Sequence, residues 1–497
     1  MCKKFKILKI SALLVVLIIT GSCSNSLFDI NSPNPNQPSS VSPNYVLSAA
    51  LASSAQRVLG GEATFANFWM GYWAPYGEQS PTVLSYNLTT DTYASNWDNT
   101  YITLENYKFI EDHSNTADKV FFRAIAKIMK EFHYQRLVDL YNNVPYSDAL
   151  ISTNSFPKYD DAATIYKDFI VQIDSAITII KNADALTAEN PGANDVLFHG
   201  DMNMWLKFAN TLKLKILMRQ TESSGGPTYI QSHLAGLTTA DFLGTGEDAG
   251  VNPGYSNSSW AQQSPLWQSV GYNTDGSPNG GHLYTRANSY AVDFYIATND
   301  TLRVKQFYTP NSDGIYRGRA FGSSDVGQGG NTISGFGPGI LQSASMDAYI
   351  LPAFESLFLQ AEAAQRGYIA GDPAALFKAA VTESFRILAV TDYENAASQL
   401  YSQANDKVNF DVASNKITAI ITQKWAAMNA YDPLESYCDW RRLGVPADLP
   451  ISVYPGTTAT HIPYRLLYPT SEFHYNAANV NGQGTINQFT SKIFWMP

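Results

Sequence analysis

In one stretch of this chain, Ala117–Tyr141 (ADKVFFRAIAKIMKEFHYQRLVDLY), apolar residues recur at three- and four-residue steps: Val120, Phe121, Ala124, Ile125, Ile128, Met129 and Phe132. That spacing puts one apolar stripe on an α-helix and does not suit the two-residue alternation of a strand. Asn143-Val144-Pro145 ends the run, because Pro145 cannot continue the hydrogen-bond ladder. Thr164–Lys181 repeats the pattern with Ile165, Phe169, Ile173, Ile177 and Ile180. Asn203–Gln220 repeats it with Trp205, Phe208, Ala209, Leu212 and Ile216. Helices return at Pro352–Arg366, Pro373–Ile387 and about Asn415–Asn429. The fold class is therefore mainly α, and these helices are scaffold.

Gly367–Asp372 joins two of these helices through a short turn with two glycines, so they form a helix hairpin. Ala361, Ala374 and Ala380 let its arms approach closely. The pair is similar to a tetratricopeptide unit, although no clean internal repeat runs through the chain. Between Ser223 and about Gly339 the character changes to dense Gly, Ser, Asn, Asp and aromatic residues with little helical period. Long irregular insertions of this kind commonly carry function. The segment after Tyr431 is loop-rich again.

The N-terminus reads as an export signal. Lys3, Lys4, Lys6 and Lys9 precede an apolar run from Ile10 to Ile19 and then Thr20-Gly21-Ser22-Cys23. The run is too short for the ~20 residues that span a bilayer, and no longer one follows. Thr20–Cys23 resembles a lipobox, with Thr20 where Leu is usual. Cys23 is thus the expected lipidation site. This assigns residues 1–22 to a signal peptide, 23–40 to a lipidated tether rich in Ser, Asn and Pro, and 41–497 to a single domain whose insertions span about 223–340.

Cysteine use agrees with export. Cys2 leaves with the signal and Cys23 is acylated, so Cys438 stands alone and no intrachain disulfide remains. Stability must come from the core, for which 45% hydrophobic and 13% aromatic residues suffice. The formal charge of −10 becomes four units more negative once the signal lysines are removed. That balance argues against nucleic acid, whose phosphates require clustered Lys and Arg.

Seven segments, in order and spacing, resemble the SusD/RagB-like nutrient-binding outer-membrane lipoproteins, and within them the second SusD-like branch. They are Phe28–Ser39, Leu137–Leu150, Tyr159–Ile177, Asp195–Arg219, Phe354–Asp372, Gln423–Pro446 and Ile462–Val480. The sequence departs from the pattern at Asn142-Asn143, where Gly is common, and at its end, FWMP instead of a two-Trp motif. The resemblance implies four tetratricopeptide-like helix pairs in a right-handed superhelical scaffold with long irregular loop insertions. It implies a lipid-anchored outer-membrane location facing outside the cell, and a SusC-like TonB-dependent transporter as partner. It also implies an oligosaccharide or, in some members, a peptide ligand. No cofactor is expected. Binding-loop residues do not transfer by motif, so candidates come from the chemistry of this sequence.

Sugars present flat apolar faces edged with hydroxyls, which aromatic rings stack on and polar side chains bond. Ala66–Gln79 concentrates Phe68, Trp69, Tyr72, Trp73 and Tyr76, at a helical spacing that serves a core face or a stacking platform. The mid-chain insertions hold Trp260, Trp267, Tyr272, Tyr284, Tyr290, Phe321 and Phe336, with Arg286, Arg317 and Arg319. The candidate ligand-binding set is Trp69, Trp73, Tyr76, Trp260, Trp267, Tyr284, Arg286, Phe321 and Phe336. DWRRLG (Asp439–Gly444) and Pro463–Arg465 are expected to form a stabilising ion-pair and stacking network, with Trp440 beside Arg441 and Arg442 suited to cation–π contact.

A glycoside hydrolase of the same uptake system is the alternative from another class, and a helical scaffold without a small ligand is a third. A glycosidase needs two carboxylates facing one bond. Asp160, Asp161, Glu247, Asp248 and Glu394 supply carboxylates, but linear spacing selects no pair. No G-x-S-x-G or H-E-x-x-H motif occurs, and no His pair has zinc-ligand spacing on one helix. One turn, with Asn273, Asp275, Ser277 and Asn279, alternates oxygen side chains as calcium loops do, but lacks a distal Glu. The reading is a binder, not an enzyme.

Overall fold

The structure is a computed structural model that describes residues 42–61, 64–76, 79–323 and 330–497. The expected signal peptide, Cys23 and the tether lie outside these. Residues 43–497 pack as one unit around a continuous apolar core.

Helix forms where the apolar period demands it. The first half contains α1 (Pro43–Leu59), α2 (Thr64–Trp69), α3 (Ser95–Asp112), α4 (Val120–Tyr141), α5 (Ala162–Asn182) and α6 (Met202–Met218). The mid-chain contributes the short α7 (Pro265–Val270), α8 (Gly280–Tyr284) and α9 (Ser289–Ala297). The second half contains α10 (Ala353–Gln365), α11 (Pro373–Ile387), α12 (Tyr393–Tyr401), α13 (Lys416–Met428) and α14 (Pro433–Leu443). Residues 223–339 are therefore less irregular than their composition suggests. Proline at the first turn of α7 and Asn288 accepting from Tyr290 N at the start of α9 set helix starts that a search for long stripes passes over.

Side-chain caps begin several long helices. Asp161 accepts from Thr164 N, Asp201 from Asn203 N and Met204 N, and Asp372 from Ala374 N and Ala375 N. Each satisfies amides that a helix start would leave open. Successive helices pack as pairs, α3 on α4, α5 on α6, α10 on α11 and α13 on α14, which is the tetratricopeptide-like arrangement. Strand is confined among the described residues to three short antiparallel pairs: β1 (Trp73–Pro75) with β5 (Thr285–Ala287), β2 (Val144–Pro145) with β3 (Tyr159–Asp160), and β4 (Ala249–Val251) with β6 (Ala348–Leu351). The β1–β5 pair matters most, because its register Trp73↔Ala287 ties the mid-chain segment to the N-terminal helices.

Charged residues knit the helix pairs together inside the core. Lys215 of α6 contacts Glu355 of α10 at 2.7 Å and Glu435 of α14 at 3.1 Å. Arg219 contacts Glu435 at 2.5 Å and Asp139 of α4 at 3.2 Å. Lys424 of α13 meets Glu435 at 2.6 Å and Asp439 at 2.9 Å. Arg442 holds Glu362 through two parallel bonds of 2.6 and 2.7 Å and also reaches Asp439 at 2.8 Å. Burial opposes ionisation of Glu435, but Arg219, Lys215 and Lys424 together hold its carboxyl well below the usual carboxylate range.

The DWRRLG segment thus forms the expected network, with one correction. Arg441 lies 3.8 Å from the Tyr437 ring centroid and 4.9 Å from that of Trp495, not on Trp440. Its guanidinium also donates to the carbonyls of Asp139 and Tyr464. On a helix a side chain meets neighbours three and four residues away, so Tyr437 outcompetes the adjacent Trp440. Cys438 is a free, buried thiol whose pKa burial pushes up to about 12.

Two outcomes follow. Replacing Glu435 by Gln leaves three buried cations short of one anion and should cost about 3–5 kcal/mol, read as a lower urea midpoint. Glu131 gives a pH signature. Burial raises its pKa from 4.5 to about 8, the nearby Lys130 only partly opposing this. The folded state therefore holds a proton that the unfolded state releases above its lower pKa, so this group's contribution falls as pH rises from about 4.5 to 8. Glu131→Gln should flatten the urea midpoint across that window, and an unchanged slope would show that Glu131 does not titrate there.

Candidate functional site

A concave cavity of about 510 Å³ opens where the N-terminal helices meet the mid-chain insertion. Its volume lies within the ~300–1,000 Å³ range of small-ligand sites. Phe65 and Phe68 of α2 line it and are themselves buried, with Phe68 stacked on Phe321 at 5.8 Å. Trp260 and Tyr284 rise at the rim, each 57% exposed. Gln56, Gln79, Gln268, Ser269 and Thr285 bring amide and hydroxyl groups to the lining.

Local structure fixes this geometry. Asn279 begins α8 by accepting from His282 N at 2.8 Å, while its amide donates to the carbonyls of Trp267 at 3.2 Å and Gln268 at 2.9 Å. One side chain thus joins the start of α8 to the end of α7. Gly281 permits that approach, since a Cβ there would stand 1.8 Å from the Ser269 carbonyl oxygen. Gln268 donates its side-chain amide to the Gln263 carbonyl at 2.6 Å, which fixes this side chain in the lining.

The nine candidate ligand residues separate into three groups. Trp260 and Tyr284 line the cavity. Trp267, Tyr76 and Arg286 are not among the residues that line it. Trp267 donates to the Tyr272 carbonyl at 3.0 Å and packs on that ring at 5.5 Å. Tyr76 donates its backbone N–H to the Tyr284 carbonyl at 2.7 Å, and its ring lies 5.5 Å from the guanidinium of Arg286 and the same distance from that of Arg319. Arg286 donates to the carbonyls of His282 and Thr285, so its charge holds the α8 turn.

The other four correct the sequence expectation. Trp69, Trp73, Phe321 and Phe336 are core residues, each 5% exposed or less. Trp69 packs edge-on against Phe65, Tyr86 and Tyr437. The Trp73 indole donates to Asn429 at 3.0 Å and meets Phe336 at 4.9 Å. Trp73 opens β1, and the partner strand lies some two hundred residues further on, so its burial has no local signal.

The oxygen-rich turn is also resolved. Ser277 donates its N–H and its hydroxyl to Asp275, Asn273 donates to the Ser277 hydroxyl, and Gly276 takes a positive φ of 84°. With Asn279 engaged in helix capping, side chains satisfying their own turn account for the alternation. Of the five carboxylates raised for hydrolysis, Glu394 is exposed on α12 and the other four are engaged elsewhere. Asp160 accepts from Tyr146 N and Ser147 N, Asp161 caps α5, Glu247 pairs with Lys207 at 2.6 Å, and Asp248 pairs with Arg386. Among the described residues, no group of three or more His, Cys, Asp or Glu is placed to hold a metal ion.

Reasoning from the sequence missed Gln56, Gln79, Gln268, Phe65 and Tyr93 as lining residues. Glutamine carries no periodic or motif signal, and Phe65 reads as an ordinary helix-face residue.

Comparison with known proteins agrees with this architecture. The SusD-like_2 family model, described as "Starch-binding associating with outer membrane", matches residues 35–469. No curated protein matches significantly. Among solved structures, a chitin-binding protein is 24% identical, with 91% of this chain and 100% of the other covered at a TM-score of 0.73. A chitin-binding SusD homologue from Flavobacterium johnsoniae is 22% identical, covering 90% and 98% at 0.73. A SusD homologue from Bacteroides fragilis is 18% identical, covering 92% and 99% at 0.73. Among the described residues no helix is long and apolar enough to cross a membrane.

Proposed function

This chain belongs to the SusD-like family of starch-binding, outer-membrane-associated proteins, and on that premise we propose that it captures oligosaccharides at the cell surface in the Trp260–Tyr284 cavity. The observation that carries the reading is the pairing of two exposed rings with a lining of amides and hydroxyls. A sugar ring offers C–H faces to Trp260 and Tyr284 and hydroxyls to Gln56, Gln79, Gln268 and Ser269. The family description, starch-binding, supports reversible binding as the chemistry of this site. The two solved relatives named as chitin-binding support a glycan, and the family description supports a glucan.

The bound oligosaccharide is then delivered to a SusC-like TonB-dependent transporter in the same membrane. Cys23 anchors the protein through lipid, and the tether Ser24–Ser40 gives it reach. Cys23→Ser should move the full-length protein from the membrane fraction to the soluble exported fraction, and retention in the membrane fraction would refute the anchor.

The deciding experiment is calorimetric titration of the chain lacking residues 1–23 with malto-oligosaccharides, chito-oligosaccharides and short peptides. One saccharide class should bind saturably without product release. Trp260→Ala and Tyr284→Ala should each weaken it about two- to tenfold, as expected for ~0.5–1.5 kcal/mol of ring stacking. Binding untouched by both substitutions, or confined to peptides, would sink the assignment.

A further inference from the structure

The described residues enclose a second cavity, of about 440 Å³, between α9, α13 and the Val445–Asp448 segment after α14. One wall is aromatic. Tyr290 and Phe294 stand four residues apart on α9 and so share a face. Both rings meet the buried Trp425 edge-on, with centroids 5.4 and 4.9 Å away. The Tyr290 hydroxyl donates to Asp448 at 2.5 Å. The aromatic wall is therefore braced from behind by Trp425 and at its edge by Asp448.

The rest of the lining is mixed, with Ala413, Ala419 and Val445 among polar side chains. Thr418 and Thr422 are four residues apart on α13, just beyond Asn415, which precedes the helix. Asn415 uses its carbonyl oxygen to cap the helix, accepting from Thr418 N at 3.0 Å, so its amide group faces no competing helical role. Thr418 is exposed, and Lys407 brings a solvent-exposed ammonium to the lining. A braced ring face with hydroxyl and amide groups in the same lining is a combination that suits a saccharide. No strand lines this cavity, so an extended peptide has no sheet edge to extend there.

We propose that this groove is a second saccharide site, taking a short sugar segment with one ring against Tyr290 and Phe294 and its hydroxyls bonded to Asn415, Thr418 and Asp448. It stands on its own residues and shares none with the Trp260–Tyr284 cavity. A polymer strand engaging both sites would be retained more tightly than either site alone retains it.

The test uses the chain lacking residues 1–23, titrated with maltose, cellobiose and chitobiose. The Trp260→Ala/Tyr284→Ala double variant should keep a saturable isotherm for at least one disaccharide. Adding Thr418→Met, an exposed helix position given a good helix former, should weaken that isotherm tenfold or more. Phe294→Ala, checked for an unchanged melting transition, should do the same. The proposal is overturned if the double variant loses all binding while the unmodified chain binds, if Thr418→Met leaves the isotherm intact, or if the unmodified chain binds none of the three sugars. Binding insensitive to Trp260→Ala/Tyr284→Ala yet abolished by Thr418→Met would remove the first cavity from the function and keep this one.

Discussion

The structure hangs on ionic contacts sealed inside a helical scaffold, with Glu435 at their centre. Its carboxylate is shared among Lys215, Arg219 and Lys424, which come from helices more than two hundred residues apart in the chain. Buried charges are expensive unless each finds a close partner, so the arrangement has a narrow geometric solution. Apolar stripes alone would let neighbouring helix pairs slide along one another. A carboxylate fixed by three cations gives them one register. Glu362 plays the same part between α10 and α14, held by Arg442 through two parallel bonds.

The walls of the two cavities grow from this scaffold by a chain of aromatic contacts. Tyr72 stacks on Trp425 at 5.2 Å and donates to the Trp425 carbonyl at 2.6 Å. Trp425 in turn donates to the Met70 carbonyl and braces Tyr290 and Phe294. Gly71, at a φ of +71°, permits the turn and leaves room for the Tyr290 ring, whose Cδ1 would lie 2.8 Å from an added Cβ. The pairing of β1 with β5 then carries the mid-chain segment across the N-terminal helices. Tyr76, between two guanidiniums, supports the turn that presents Tyr284.

Much of the scaffold was legible in the sequence because helix periodicity is a local signal. The stripe from Val120 to Phe132 and the span Pro373–Ile387 returned as α4 and α11, with caps where Asp or Asn preceded the run. The cavity was legible only in part. Trp260 and Trp267 lie in a Ser/Gln/Pro-rich stretch that favours exposure; Trp260 is exposed and Trp267 is half-buried. Pro75 and Gly77 mark a loop that favours Trp73 and Tyr76 over Trp69 as exposed rings, yet distant partners bury both tryptophans, Tyr437 packing on Trp69 and Asn429 accepting from Trp73. Burial by a partner hundreds of residues away leaves no trace in a local window. The lining glutamines were invisible for a different reason, since glutamine is at home on any surface.

Gly281 has a consequence for how the first cavity can change. The separation of α7 from α8 is set by backbone touching backbone, through a hydrogen atom where any other residue would carry carbon. A wall of that kind has no rotamers and cannot breathe by rearranging side chains. For the proposed saccharide site, adaptation to ligands of different girth would therefore fall to the rings at the mouth, with most freedom at Trp260 and Tyr284 and least in the glycine beneath them.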